Sequence, residues 1–574
     1  MISHLKNLEN LIFILGLRKI KFLFLIFIIL FSAFIELLGL GLIAPYISSL
    51  FKIDNFTNYT SFLNFFDMNE KNFILITSII LIIVFLAKAV LSIFTRWYIA
   101  NFSYSQFAKL QARLMLTYQE MDYEKYIQRN VTVYIRNIRE LCSHTLTSVE
   151  LALRAISEII IMVFIFIFLI NFDYKILIFI FLVILPIFLI YEMILKPINF
   201  KLGEIRIDAI KGIFKNADAG LRGSKEIKFL SKDNFFRDKL LNYANIAADK
   251  QAKSLIINDS PRYVFEFFLV TFAIITIFFL SSNNYDLRTY LPTISVFLLA
   301  GLRVLPSISL IVNCFNRIAH FLPSIEIVLN DLKNFSLNKK DKIETHMKDL
   351  EEIDSIAIKN AEFFYQNSKI KVFEDLNFKI KKNECIGIVG ESGSGKTTLV
   401  DILLGLLVPT RGKIYINEKV AENYLLRLTG NIAYLPQEPI ILEESIQTNI
   451  TLEKEEKKIN FDKLRESIKS SNLDEVIKNS TKGLNTMIGE KGIRLSGGQN
   501  KRLALARTFY HGKNFLILDE ATSSLDKDNE NTIAEQIKEL KGRYTIIIIS
   551  HQPNILKYCD KIYKIENKKV ILNN

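Results

Sequence analysis

Gly390-Glu391-Ser392-Gly393-Ser394-Gly395-Lys396-Thr397 decides how this chain is read. An apolar run, Cys385-Ile386-Gly387-Ile388-Val389, precedes it, and Thr398-Leu399-Val400-Asp401-Ile402-Leu403-Leu404 follows. Strand, glycine loop and helix in that order are the context of a phosphate-binding loop. The glycines let backbone N–H groups curl around an anion, and the helix N-terminus adds its partial positive charge. In this reading Lys396 reaches the β- and γ-phosphates of ATP, and Thr397 offers its hydroxyl to Mg2+.

Further along, the apolar strand Phe515-Leu516-Ile517-Leu518-Asp519 ends in an acid and is followed by Glu520. Asp519 suits a Mg2+ ligand there, and Glu520 is placed to polarise an attacking water as general base. Taken alone the run is a weak signal, because many buried strands end in an acid. Between it and the loop lies Leu495-Ser496-Gly497-Gly498-Gln499, whose consecutive glycines at a helix start make a second anion site.

Glycine loop, LSGGQ and acidic strand in this order resemble the ATP-binding cassette family. The resemblance implies roles for further residues. Gln437, in Tyr434-Leu435-Pro436-Gln437, matches the Q-loop, and His551, after Thr545–Ile549, matches the switch histidine. Tyr365 matches the aromatic that stacks on adenine, and Ser524-Leu525-Asp526 matches the D-loop. Ile488-Gly489-Glu490-Lys491-Gly492 looks like the X-loop of exporters. The implied catalytic set is Glu520, His551 and Gln437, with Mg2+ held by Thr397, Gln437 and Asp519. Nucleotide contacts would come from Tyr365, Gly390, Glu391, Ser392, Gly393, Ser394, Gly395, Lys396, Thr397 and Thr398, and from Ser496, Gly497, Gly498, Gln499 and Asp526. One departure is His551-Gln552-Pro553, where the family commonly has His-Arg-Leu; it leaves the local helix geometry open.

The rest of the chain has a different composition. Of 574 residues 50% are hydrophobic, 45 are Phe, and the mean hydropathy is +0.25, well above a soluble enzyme. The apolar residues concentrate in residues 1–330, in six runs long enough to span a bilayer: about 22–50, 73–100, 151–171, 175–195, 262–282 and 290–312. Lys6, Arg18, Lys19 and Lys21 place the N-terminus in the cytoplasm, and the first run is too long for a removable signal. Polar excursions at 101–150 and 196–260 read as helices continuing into the cytoplasm, turning near Asp122–Gln128 and Asn216–Gly223. Residues 331–352 are a charged linker, and from 353 to 574 short β-branched runs alternate with helical stretches, an α/β pattern. The expected fold is thus a six-span helical membrane domain of the ABC exporter type followed by an α/β P-loop domain.

The formal charge of +13 fits cytoplasmic loops that face anionic lipid. No stacking platform or recognition helix accompanies it, so nucleic acid is not an expected partner. The four cysteines, Cys142, Cys314, Cys385 and Cys559, show no CxxC and no zinc spacing, which reads as a reduced compartment. An outer segment carries Phe56, Tyr59, Phe62, Leu63 and Phe66 at helical spacing, either an ordinary loop packed on the bundle or an amphipathic helix in the interface.

Three cations, Lys88, Arg262 and Arg303, lie in or at apolar spans, where they imply an anionic cargo or a buried partner. Arg262 and Glu266 sit four apart and could neutralise each other. Ser32-Ala33-Phe34-Ile35-Glu36 through Ala44-Pro45-Tyr46-Ile47, Pro261-Arg262-Tyr263 and Leu302-Arg303-Val304-Leu305-Pro306-Ser307 are similar to PglK-type lipid-linked oligosaccharide flippases. That resemblance implies a substrate cavity in which Arg262 and Arg303 meet a pyrophosphate, with Lys88 where a third arginine would stand. Lys keeps the charge and loses the bidentate fork. It also implies a bacterial cytoplasmic membrane location, with membrane lipid and a lipid-linked oligosaccharide as partners. One cassette and six spans are half a transporter, and with Lys396, Glu520, Ser496 and His551 all present two copies would have two competent sites, which favours a homodimer. An exporter of another lipid or of a peptide on the same scaffold is the alternative.

Overall fold

The computed structural model describes residues 19–51, 70–170, 174–282, 287–336, 353–366, 368, 370–421, 428, 431–489, 495–512, 514–520 and 527–573. The outer stripe at 56–67, Ser524-Leu525-Asp526 and Glu490-Lys491-Gly492 lie outside them. The chain divides into two compact units, Met1–Met121 with Arg129–Leu337, and Asp122–Gln128 with Asn338–Asn574.

The first unit is helical. In chain order the helices used below are α1 (Lys19–Phe51), α2 (Glu70–Glu120), the short α3 (Tyr123–Ile127, part of the second unit), α4 (Cys142–Ile170), α5 (Tyr174–Arg222), α6 (Asp233–Ser282) and α7 (Leu287–Ser336). On α1, Leu25, Ile28, Ile29, Ser32, Ala33 and Glu36 recur every three or four residues and are buried, while Leu23, Phe27, Phe31 and Phe34 are exposed. A helix apolar on both its packed and its open face is what a lipid environment requires. Among the described residues, four stretches are long and apolar enough to cross a membrane: Leu23–Ile43, Ile74–Glu120, Val131–Ile170 and Pro306–Lys333. At 51 residues, α2 is roughly 75 Å long, more than twice a ~30 Å hydrocarbon core, so part of it projects into water. Helix α2 packs along α1, α7 along α4, and α6 along α5. Near the polar end of α2, Tyr118 donates to Asp331 of α7 at 2.7 Å, and Arg129 pairs with the same carboxylate at 3.0 Å.

The second unit is built on a ten-stranded sheet in the order β5-β4-β1-β2-β10-β9-β3-β8-β7-β6. The strands that matter most here are β1 (Ser355–Phe363), β2 (Phe373–Lys381), β3 (Cys385–Gly390), β4 (Arg411–Ile416), β5 (Lys419–Val420), β6 (Ile432–Leu435), β7 (Phe515–Asp519), β8 (Thr545–Ile549), β9 (Lys561–Glu566) and β10 (Lys569–Asn573). Strands β6, β7, β8, β3 and β9 run parallel, and β7 and β8 are buried along their whole length. Continuous apolar runs such as Thr545-Ile546-Ile547-Ile548-Ile549 are the signature of strands covered on both faces. By contrast β1, β2, β4 and β5 pair antiparallel, and β2 alternates between core and solvent. One core joins both parts, with Ile356, Phe363, Phe373, Phe378, Ile386, Ile388, Leu399 and Ile547 in contact. Helix α3 belongs to this body: Glu124 Oε1 accepts the Gln366 N–H at 2.8 Å, and Tyr123 packs on the core beside Tyr365.

Candidate functional site

In open parallel sheets ligands bind beyond the carboxyl ends of the strands. Here β3, β8 and β7 are adjacent, with Ile388 opposite Ile549 and Asp519 also opposite Ile549. Their carboxyl ends therefore bring the Gly390–Thr397 loop, His551 and the Asp519-Glu520 pair to one edge of the sheet. Strand β6, next to β7, ends at Leu435, two residues before Gln437.

The loop is shaped for an anion. Gly393 and Gly395 have φ of +80° and +104°, which side-chain-bearing residues rarely adopt. A Cβ on Gly390 would stand 2.6 Å from Ser394 Oγ. That hydroxyl is buried and without a hydrogen-bond partner, an orphan that a phosphate oxygen would satisfy. Helix α8 (Lys396–Leu403) starts directly after Gly395, so its first N–H groups face the loop. Lys396 Nζ donates to the Gly390 and Glu391 carbonyls at 2.7 and 3.0 Å, holding the ammonium over the loop. Thr397 is exposed and Thr398 buried; the Thr398 hydroxyl meets Tyr365 Oη at 3.0 Å. The Tyr365 ring stands edge-on to Phe363, 5.0 Å between centroids.

Gln437 Nε2 donates to Glu520 Oε2 at 2.7 Å, joining two of the expected catalytic residues. The Glu520 backbone has φ +47°, its N–H donates to Ile549 O at 3.0 Å, and its carbonyl accepts from Lys501 at 3.1 Å. Asp519 is 7% exposed, accepts from Tyr434 Oη at 3.3 Å, and is raised above the usual carboxylate range by burial. Asp401 on α8 is pushed up to about 6 by burial and by the charge of Asp519. Excess buried negative charge of this kind favours a cation beside Asp519. The residues present therefore fit a nucleotide with its Mg2+.

His551 is exposed beyond β8. The unusual Gln552-Pro553 that follows still starts a helix: Pro553 occupies the first turn of α10 (Pro553–Leu556), where its missing N–H costs nothing. In Ser496–Gln499 the Ser496 hydroxyl accepts the Gln499 N–H, and the Gln499 side chain accepts the Ser496 N–H at 2.9 Å, a capping box opening α9 (Gly497–His511). A Cβ at Gly497 would meet nothing within 4 Å, so this helix start is open to a ligand or partner. Asp526 lies outside the described residues. Sequence reasoning missed Asp401, Tyr434 and Lys501, whose roles depend on which strands neighbour β7.

The first unit carries its own cluster. Glu36, 3% exposed on α1, pairs with Lys88 of α2 at 2.8 Å and with Arg303 of α7. Arg303 also reaches Glu158 of α4 at 3.0 Å, and Ser307 donates to the same carboxylate at 2.6 Å. Two of the three expected cavity cations thus share one carboxylate and hold buried partners. Arg262 instead pairs along α6 with Glu266 at 2.9 Å, with 72% of its side chain exposed.

Residues 373–523 match the ABC transporter family model. A Rickettsia typhi protein named as an export ATP-binding/permease protein is 34% identical over 270 residues, 47% of this chain and 44% of that one. The ABC transporter B family member 14 of Arabidopsis thaliana is 32% identical over 238 residues, 41% of this chain and 19% of its own length. A Bacillus subtilis protein named for multidrug export is 32% identical over 217 residues, 38% of this chain and 37% of its own. The chain thus spans less than half the length of these curated relatives. In fold, the structure of a bacterial Atm1-family ABC exporter with ATP bound superposes with a TM-score of 0.77 at 16% identity, covering 97% of this chain and 95% of that one. The chain therefore has the fold of that exporter, and residues 373–523 of its second unit are similar to the ATP-binding domain of ABC transporters.

Proposed function

We propose that the chain is one half of a homodimeric, ATP-driven exporter in a bacterial cytoplasmic membrane, with the cassette in the cytoplasm. The observation that carries this is the convergence of the anion-shaped loop, Asp519-Glu520 and His551 at neighbouring strand ends. Bound Mg2+ would neutralise phosphate charge, held by Thr397, Gln437 and Asp519. Glu520 would draw the proton from the attacking water, while Gln437, now hydrogen-bonded to it, and His551 orient the reacting end. Lys396 would leave its two carbonyls for the phosphates. The Ser496–Gln499 helix start, open here, would close on nucleotide held by the second copy. ATP turnover by the purified chain, saturable in Mg2+ and rising with protein concentration through the dimerisation range, tests this reading. A turnover indifferent to both would oppose it.

For the cargo we assign a polyprenyl-pyrophosphate-linked oligosaccharide. Support comes from the resemblance of the membrane segments and from the accessibility of the cations. Lys88 and Arg303 keep 26% and 24% of their side chains exposed, while Glu36 behind them keeps 3%. A headgroup would thus meet cations first. One observation favours the second reading, export of another lipid or of a peptide: Glu36 and Glu158 already balance Lys88 and Arg303. Proteoliposomes given a fluorescent pyrophosphate-linked glycolipid, its monosaccharide-lipid analogue without pyrophosphate, or a peptide separate the two. ATP-dependent movement of the first alone supports the flippase; equal movement of the uncharged analogue supports the alternative.

A further inference from the structure

Two cysteines 174 residues apart in sequence meet inside the second unit. Cys385 opens β3, and Cys559 sits between α10 and β9. These strands run parallel with Ile386 opposite Lys561. The Cys385 carbonyl accepts the Asp560 N–H at 2.7 Å, and the Cys385 N–H donates to Asp560 Oδ2 at 2.9 Å. That register brings the two Sγ atoms to 3.9 Å. Gly387 leaves the room for it: a Cβ there would lie 2.7 Å from Leu556 and 3.2 Å from Cys559 Sγ. Both thiols are free; Cys385 is fully buried and Cys559 partly exposed. Lys541, paired with Asp560 at 2.7 Å, adds a positive charge nearby. The hydrogen bond from Cys385, and then the Lys541 charge, hold the Cys559 thiol below its ordinary range, while that hydrogen bond and burial push Cys385 up. The accessible thiol is thus the more nucleophilic one.

We propose that Cys559 and Cys385 form a peroxide-responsive pair that closes an internal disulfide between β3 and the start of β9. The Cys559 thiolate attacks one oxygen of hydrogen peroxide, the O–O bond breaks, and the sulfenic acid forms as hydroxide leaves and is protonated to water. Cys385, giving up its proton, attacks the Cys559 sulfur; the S–O bond breaks and the hydroxyl departs with that proton as a second water. Two thiols and one peroxide become one disulfide and two waters, a two-electron oxidation of the pair. Because β3 and β9 are already hydrogen-bonded neighbours, the crosslink needs little backbone movement. It leaves the loop beyond Gly390 in place and shields Cys559 from further oxidation.

The full chain, purified in detergent and treated with hydrogen peroxide, is followed by intact mass, non-reducing peptide mapping and thermal unfolding. Oxidation of Met487, 50% exposed in the same unit, reports that peroxide reached the protein. The expected result is loss of two hydrogens, a Cys385–Cys559 crosslinked peptide cleaved by dithiothreitol, and a Tm raised by several degrees through the closed loop. Cys385→Ser, or Cys385→Ala if the first folds poorly, should instead trap a dimedone-reactive sulfenic acid at Cys559. Oxygen adducts on wild-type Cys559 without a crosslink, or two intact thiols beside an oxidised Met487, overturn the proposal.

Discussion

The carboxylate of Glu36 lies 2.8 Å from the Lys88 ammonium and binds the Arg303 guanidinium at the same time, tying α1 to α2 and α7. One buried anion thus serves two cations, and Glu158 completes the charge balance through Arg303. Breaking a fully buried pair costs about 3–5 kcal/mol, and exposed pairs are worth far less. Both cations here retain roughly a quarter of their exposure, so Glu36→Gln should destabilise the membrane unit by about 2 kcal/mol. Detergent thermal unfolding measures it. A double variant that also carries Lys88→Met should recover part of the loss, and strict additivity of the two changes would show that the pair is not coupled.

Arg507 on α9 holds a neighbouring segment by its carbonyls: its Nε donates to Asn449 O at 2.6 Å and its Nη1 to Ile440 O at 2.9 Å. Arg507→Ala would leave the carbonyl of the fully buried Asn449 without this donor, a loss of about 1–2 kcal/mol, while the carbonyl of the exposed Ile440 can turn to water. Arg507→Lys keeps the charge but has no fork to span both carbonyls, so it should restore less than half. Equal stability of Lys and wild type would contradict this account.

Asp401 gives a pH dependence with a definite sign. Its folded pKa, about 6, lies above the ordinary 3.8, so the folded chain holds the proton where the unfolded chain has lost it. Stability from this group is therefore fully present below pH 4, declines as pH rises from about 4 to about 6, and is flat above. Asp401→Asn should remove that decline and raise the nucleotide-free Tm at pH 7, by the equivalent of about 2 kcal/mol. Parallel Tm-versus-pH curves for variant and wild type between pH 4.5 and 7 would contradict it.

Tyr365 makes two separable contacts, its ring on Phe363 and its hydroxyl on Thr398. If its ring is what a base stacks on, Tyr365→Ala should weaken ATP binding about tenfold or more, stacking being worth about 1–3 kcal/mol. Tyr365→Phe keeps the ring and should bind within about twofold of wild type, a difference of under 0.5 kcal/mol. Titration with a fluorescent ATP analogue measures both, and a Phe variant as weak as Ala would assign the role to the hydroxyl.

The motifs legible in the chain were the local ones. Gly390–Thr397 between a strand and a helix, and an acid at the end of an apolar strand, carry their geometry in consecutive residues. The Arg262–Glu266 pair was legible for the same reason, since four residues make one helical turn. Arg303 and Glu36 are 267 positions apart, and no periodicity announces that α7 will set one against the other. From the sequence Lys88 and Arg303 imply an anionic cargo or a buried partner, and packing supplies partner carboxylates in Glu36 and Glu158. Cys385 and Cys559 looked scattered because parallel strand neighbours can be distant in sequence. The Ser496–Gln499 capping box was present as an S-x-x-Q spacing, overshadowed by the glycines inside it.

We propose Glu520, hydrogen-bonded to Gln437 at 2.7 Å, as the base that drives ATP hydrolysis. Steady-state phosphate release by purified Glu520→Gln, with nucleotide binding checked on the same sample, tests it most directly. Turnover should fall by about 10²–10⁴-fold with ATP still bound; phosphate release at the wild-type rate would overturn the assignment of Glu520.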